Sequence, residues 1–243
     1  MTTPDFLYLA LIAVVMLVEH FVLWPSFLRR SQADPGRARL WLWSGWIINL
    51  WTQVAAGVAL WLSKARAWES LRLVAPSGWR LWVSVVLVLA VAIAYARPAI
   101  RIARAKRPKR IKIAGAANVQ KLVPHTSLEL GWWVVTSLSA GFCEEFVFRG
   151  YLIWAFAPLL GLWPAAALSL VVFTLAHAYQ GSSGMLAVAI LGSLFTLGVL
   201  ILGSLWPVMA LHALVDVGQG LIAWLVFSRA RGEVRGEGET VRT

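Results

Sequence analysis

The 243-residue chain holds a single cysteine, Cys143, so no internal disulfide can form and the redox compartment leaves no trace in the sequence. Charge is scarce. Asp, Glu, Lys and Arg make up 14% of the residues, whereas a soluble domain carries about a quarter. No basic region precedes the first apolar block, so that block reads as a first span and not as a cleavable signal peptide. The sequence shows no internal repeat and no second globular domain. The net charge of +11 arises without any nucleic-acid recognition module beside the basic run, which argues against a nucleic-acid partner.

What is present is apolar. Hydrophobic residues reach 60%, and mean hydropathy is +0.73. They fall in blocks of about twenty, the length a helix needs to cross a hydrocarbon core of ~30 Å. The expected fold is all-α, a polytopic bundle of about seven transmembrane helices with its site inside the bundle. The spans are read at 6–24, 40–63, 81–96, about 127–158, 163–180, 184–203 and 205–228. Many of the fifteen tryptophans lie near block ends (Trp24, Trp41, Trp43, Trp61, Trp79, Trp82, Trp206, Trp224), as aromatic belts at the headgroup level would have them.

Basic residues set the expected topology. The densest run, "RPAIRIARAKRPKRIKIAG", carries Arg97, Arg101, Arg104, Lys106, Arg107, Lys109, Arg110 and Lys112 and reads as cytoplasmic, beside anionic lipid. Alternation then places loop 25–39 and the C-terminal tail on the same side, with seventeen Lys and Arg against four in loop 64–80. The expectation is a multi-pass protein of the cell (inner) membrane with a cytoplasmic C-terminus. Three regions follow: N-terminal spans and a basic loop over 1–126, a membrane core over 127–228, and a disordered tail over 229–243.

Ionisable groups inside spans are costly, about 2.5–3.5 kcal/mol each, and mark cavities or partners. Here they are Glu19 and His20, then Glu144, Glu145 and Arg149, then His177, and finally His212 and Asp216. Glu145 and Arg149 stand four apart on one helix face and can neutralise each other. Glu144 is turned about 100° away and is left to face a cavity. Segment 159–164, "LLGLWP", offers a turn, with Gly161 to break a helix and Pro164 to start one. Glu144 lies sixteen residues before Leu160 and His177 sixteen after Gly161, so a helical hairpin brings both to one level. His212 and Asp216 share a face of the last span. Glu19 and His20 have no spacing partner and read as supporting or interfacial groups. Glu129 and His125 read as residues near a membrane surface.

A carboxylate beside imidazoles in a sequestered cavity suits activation of water. Glu144 can take a proton from water held jointly with His177, and His212 can donate to the oxyanion formed on an attacked amide. Proton relays in transporters use the same residue types, but no Gly/Pro-interrupted pair of spans in matching halves accompanies them. A non-catalytic scaffold or immunity protein that keeps these groups for packing is a third reading.

Glu144-Glu145-x3-Arg149, Phe173-x3-His177 and His212-x3-Asp216 together resemble the three motifs of the CPBP family. That family comprises CAAX prenyl endopeptidases and bacteriocin-processing (Abi-type) membrane proteins. The resemblance covers roughly residues 127–228. It implies an intramembrane endopeptidase acting near the membrane-anchored end of a lipidated or otherwise anchored substrate. It also implies a catalytic set of Glu144, Glu145, Arg149, His177, His212 and Asp216. By that precedent Glu144 and His177 hold the attacking water, His212 and the last motif position serve the oxyanion, and Glu145 and Arg149 support. Asp216 stands where prenyl-processing members most often have Asn. The expected mechanism uses no cofactor. The alternative is Zn²⁺ held by Glu, His, His and Asp, ligand types that suit zinc, although no pair shows the His-x3-His spacing of common zinc helices.

Overall fold

The computed structural model describes residues 1–105 and 117–240, and every regular element among them is helical. Helix α1 runs Thr3–Ala33 and α2 runs Pro35–Ser63. Helix α3 is Trp79–Arg104, and α4 is the short Ala117–Leu122. Helix α5, Ser127–Glu144, continues without interruption through a π-helical segment, Glu145–Leu152, into α6, Ile153–Leu160. Helices α7 (Leu162–Ala176), α8 (Gly181–Leu202) and α9 (Trp206–Thr240) complete the chain. Helix α9 packs along α5 and α3, and α5 also packs along α2.

By length and composition, five helices among the described residues can cross a membrane: α1, α2, α3, α9 and Ala178–Leu202. The other two expected spans exist as helices of a different kind. Ser127–Leu160 carries Glu129, Glu144, Glu145 and Arg149, and that charge lowers its apolar character. Helix α7 has 15 residues, about 22 Å at 1.5 Å per residue, so His177 at its end lies partway through the bundle.

Several boundaries differ from the sequence reading. Span one extends to Ala33: Pro25 lies inside the continuous helix, just after the π segment Glu19–Leu23, and does not stop the chain. The expected loop 25–39 shrinks to Asp34, whose carboxylate caps α2 by accepting from Arg37 N at 3.0 Å. Span three continues through Pro98 to Arg104. Lys106, Arg107, Lys109, Arg110 and Lys112 of the basic run lie outside the described residues. Helix α9 continues over most of the expected tail, and residues 241–243 lie outside the described residues.

Tryptophan placement also divides. Trp79, Trp82 and Trp206 are outward-facing, but Trp24, Trp43 and Trp61 are buried. Trp61 packs edge-on against Tyr151 and Trp154. The apolar faces turned outward, Val14, Leu17 and Phe21 on α1 and Trp82, Val86 and Leu89 on α3, are what lipid would cover.

The bundle neutralises three buried carboxylates with arginine. Asp5 takes Arg66 through two bonds of 2.7 and 2.8 Å and the Tyr151 hydroxyl at 2.5 Å. Glu129 takes Arg39 at 2.9 Å. Its second oxygen accepts from His125 N at 2.6 Å, while Thr126 caps α5. Glu129 is therefore only 4% exposed, a core tie between α2 and α5 and not a surface group. The third pair, Glu145 with Arg149, lies behind the site.

Candidate active site

Glu144 closes α5 and Glu145 opens the π segment. A π turn inside an α-helix often accompanies a functional site, and here the wider turn carries both Glu145 and Arg149. The Arg149 guanidinium reaches Glu145 Oε1 at 3.0 Å, Thr196 Oγ1 at 3.4 Å and the Gly192 carbonyl at 3.3 Å. Its Cζ lies 3.9 Å from the Phe173 ring centroid. Glu145 and Arg149 are both 0% exposed. Gly192 leaves room for this, since a Cβ there would stand 3.1 Å from Arg149 Nη2.

Glu145 has a second partner that helix spacing did not foretell. Its Oε1 also lies 2.8 Å from His212 Nδ1 on α9. A carboxylate can only accept from that nitrogen, so Nδ1 carries a proton and Nε2 is turned toward the cavity. The approach of α9 to α5 depends on Gly141: a Cβ there would fall 2.7 Å from Ala213 N and 2.9 Å from the Met209 carbonyl.

His177 is held by the same logic. Helix α7 ends at Ala176, and His177 terminates it with φ −94° and ψ 13° before a short 3-10 turn. Irregular backbone at such depth is tolerated where it lines a cavity. His177 Nδ1 lies 2.8 Å from the Phe173 carbonyl, an acceptor, which leaves Nε2 free. This bond is the physical content of the Phe173-x3-His177 spacing.

Both Nε2 atoms face Glu144. Glu144 Oε2 lies 3.9 Å from His177 Nε2 and 3.9 Å from His212 Nε2. That oxygen is buried and has no hydrogen-bond partner. The spans are too long for a direct bond and suit one bridging water. Asp216 Oδ2 is 3.6 Å from His212 Nε2, and its backbone carbonyl accepts from Trp133 Nε1 at 2.7 Å.

Glu144, His177, His212 and Asp216 line one cavity of about 240 Å³. Glu145 and Arg149 lie behind it. Glu19 also lines the cavity, the first of the two places, supporting or interfacial, that the sequence left open; its partner Asn49 is thirty residues away and donates from Nδ2 at 2.7 Å. Glu19 too opens a π segment, Glu19–Leu23. His20 points elsewhere, edge-on to Phe21. Among the described residues no group of three or more His, Cys, Asp or Glu is arranged to hold a metal ion.

The cavity residues from Glu144 to Asp216 fall inside a single family match. Residues 126–218 match the family described as type II CAAX prenyl endopeptidase Rce1-like. This segment is similar to the Rce1-like family. The match covers 93 of the 243 residues and is to a family of CAAX prenyl endopeptidases. The matched segment takes in α5 to α8 and the first 13 residues of α9, which bear His212 and Asp216. Helices α1 to α4 lie outside the match. No curated protein and no solved structure matches the chain.

Proposed function

We propose that the protein is an intramembrane endopeptidase that cleaves a peptide bond near the membrane-anchored end of a protein, with Glu144 as the base. The observation that carries this reading is the unpartnered Glu144 Oε2, equidistant at 3.9 Å from two imidazole Nε2 atoms in a closed-in cavity. Water seated among these three atoms gives its proton to Glu144 as its oxygen attacks the substrate carbonyl carbon. The oxyanion forms beside His212, whose Nε2–H donates to it when the ring is doubly protonated. Glu145 on Nδ1 and Asp216 beside Nε2 stabilise that imidazolium. Glu144 then passes its proton to the departing amine, the C–N bond breaks, and the new carboxylic acid gives up its proton to the amine, leaving a carboxylate and an ammonium group.

The role of Asp216 follows from its place beside His212. An ionised aspartate would repel an oxyanion, so it orients His212 and balances its charge. Arg149 holds Glu145, and Glu145 holds the His212 tautomer. The substrate class is a lipidated or otherwise membrane-anchored polypeptide, as the family implies. Helices α1 to α3 complete the bundle, α1 and α2 closing one side of the cavity.

The test uses purified protein in liposomes with a membrane-anchored reporter peptide. Cleavage is expected with wild type and is lost with Glu144→Gln, whose folding, followed by thermal unfolding in detergent, stays near wild type. Cleavage that stops with a chelator and returns with Zn²⁺ would assign the same side chains to a metalloprotease. Flux of protons or solute that tracks Glu144, without cleavage, would replace the reading by transport.

A further inference from the structure

Three of the buried carboxylates are each matched to an arginine: Asp5 to Arg66, Glu129 to Arg39 and Glu145 to Arg149. The cavity follows the opposite rule. Its lining contains Glu19, Glu144 and Asp216 and, among the described residues, no lysine or arginine. Glu144 and Asp216 face imidazoles. Glu19 has the neutral amide of Asn49, which fixes Oε1 at 2.7 Å but brings no positive charge. The proposed chemistry leaves Glu19 unused. A carboxylate kept in an apolar span without a cation of its own is costly unless something else supplies one.

A second feature of the same cavity has nothing to do with acid. Trp46 and Tyr179 also line the cavity, with ring centroids 5.6 Å apart at an interplanar angle of 43°. Tyr179 follows His177 by two residues and its ring lies 5.9 Å from the imidazole. Aromatic faces beside a carboxylate form a recognised environment for a cation, because the ring quadrupole and the acid attract the same charge. Asn118 Nδ2 on α4 donates to the Tyr179 carbonyl at 2.9 Å and holds that turn in place.

We propose that Glu19, Trp46 and Tyr179 form a specificity subsite for a basic side chain of the substrate, a lysine or arginine within a few residues of the cleaved bond. Glu19 is the specificity-determining residue: it meets the ammonium or guanidinium group directly. The same absence of cavity cations disfavours an acidic residue or a free terminal carboxylate at that place. This inference rests on the endopeptidase reading, and it names the substrate feature that the site selects.

The experiment compares three anchored peptides that differ only in one residue near the cleaved bond, Lys, Gln or Glu. Each is also made with that bond N-methylated, so that binding is read without cleavage. Wild type is expected to favour Lys over Glu by about tenfold or more, in kcat/KM and in Kd alike. Glu19→Gln, which keeps the Asn49 contact, brings the ratio to within about threefold, and Glu19→Lys inverts it. Trp46→Leu reduces the ratio independently, should the charge reversal fail to fold. A Lys-to-Glu ratio that Glu19→Gln leaves intact overturns the subsite even if every peptide is cut. A charge preference in binding that depends on Glu19, with no peptide cut, upholds the subsite and removes the endopeptidase reading.

Discussion

His212 Nδ1 lies 2.8 Å from Glu145 Oε1, and the same oxygen accepts from Arg149 Nη1 at 3.0 Å. One carboxylate oxygen thereby ties the π segment to α9 and sets which nitrogen of His212 faces the cavity. Glu145→Gln keeps the size of the side chain but can place its amide N–H against Nδ1, which reverses the tautomer. Wrong-tautomer variants of other hydrolases lose as much as ~10⁴-fold in kcat. A fall of at least ~10²-fold in kcat with little change in KM is expected here, read from steady-state cleavage in liposomes.

The Arg149 partner is expected to matter for stability. Arg149→Met leaves Glu145 as an uncompensated buried charge, which costs about 3–5 kcal/mol, whereas Arg149→Met with Glu145→Leu recovers much of the loss. Chemical denaturation in detergent measures both. Equal destabilisation by the single and double variants would contradict the pairing.

Asp5 offers a graded test away from the cavity. Arg66 binds both of its oxygens and Tyr151 binds one. Tyr151→Phe removes one hydrogen bond to a charged group, expected to cost about 1.5–3 kcal/mol. Arg66→Ala strips the buried carboxylate of its cation, and about 3–5 kcal/mol is expected. Thermal unfolding should rank the two in that order.

Gly141 tests whether the α5–α9 approach sets the geometry of Glu144 and His212. Gly141→Ala places a methyl against the backbone of Ala213 and Met209. Overpacking of this kind costs about 1–3 kcal/mol, and the helices must separate. Cleavage should fall more than stability does, because Glu144 and His212 work across that contact.

Asp216→Asn retains a polar side chain beside His212, the residue most often found there in the prenyl-processing proteins that the motifs resemble. Activity within about tenfold of wild type is expected, against a loss of ~10²–10³-fold for Asp216→Leu, the range seen when oxyanion support is removed. Parallel losses in the two variants would show that the charge of Asp216 beside His212, and not its polar side chain, carries the whole role.

The sequence made the site legible to an uneven degree. The helical character, the Glu145–Arg149 pair and the common level of Glu144 and His177 follow from local rules of rise and spacing. The His212 bond to Glu145 does not, because it joins residues sixty-seven apart and depends on how closely α9 approaches Gly141. For Glu19, the choice between a supporting and an interfacial place stayed open for the same reason. Its partner Asn49 is on another helix, and the π segment that opens at Glu19 has no residue signature in an apolar block. Glu129 looked superficial because it lies near a helix start, yet Arg39 draws it into the core. The buried Trp43 and Trp61 show the limit of reading position along a span: a tryptophan at a block end faces lipid or core according to the neighbouring helix.

The most direct measurement compares the N- and C-termini of membrane-associated proteins in cells that carry either the wild-type protein or Glu144→Gln, by mass spectrometry. Water activation by Glu144 predicts at least one new pair of termini, next to a membrane anchor, that forms only with the intact carboxylate. An identical set of termini in both cells, with both proteins folded and present in the membrane, would contradict the account.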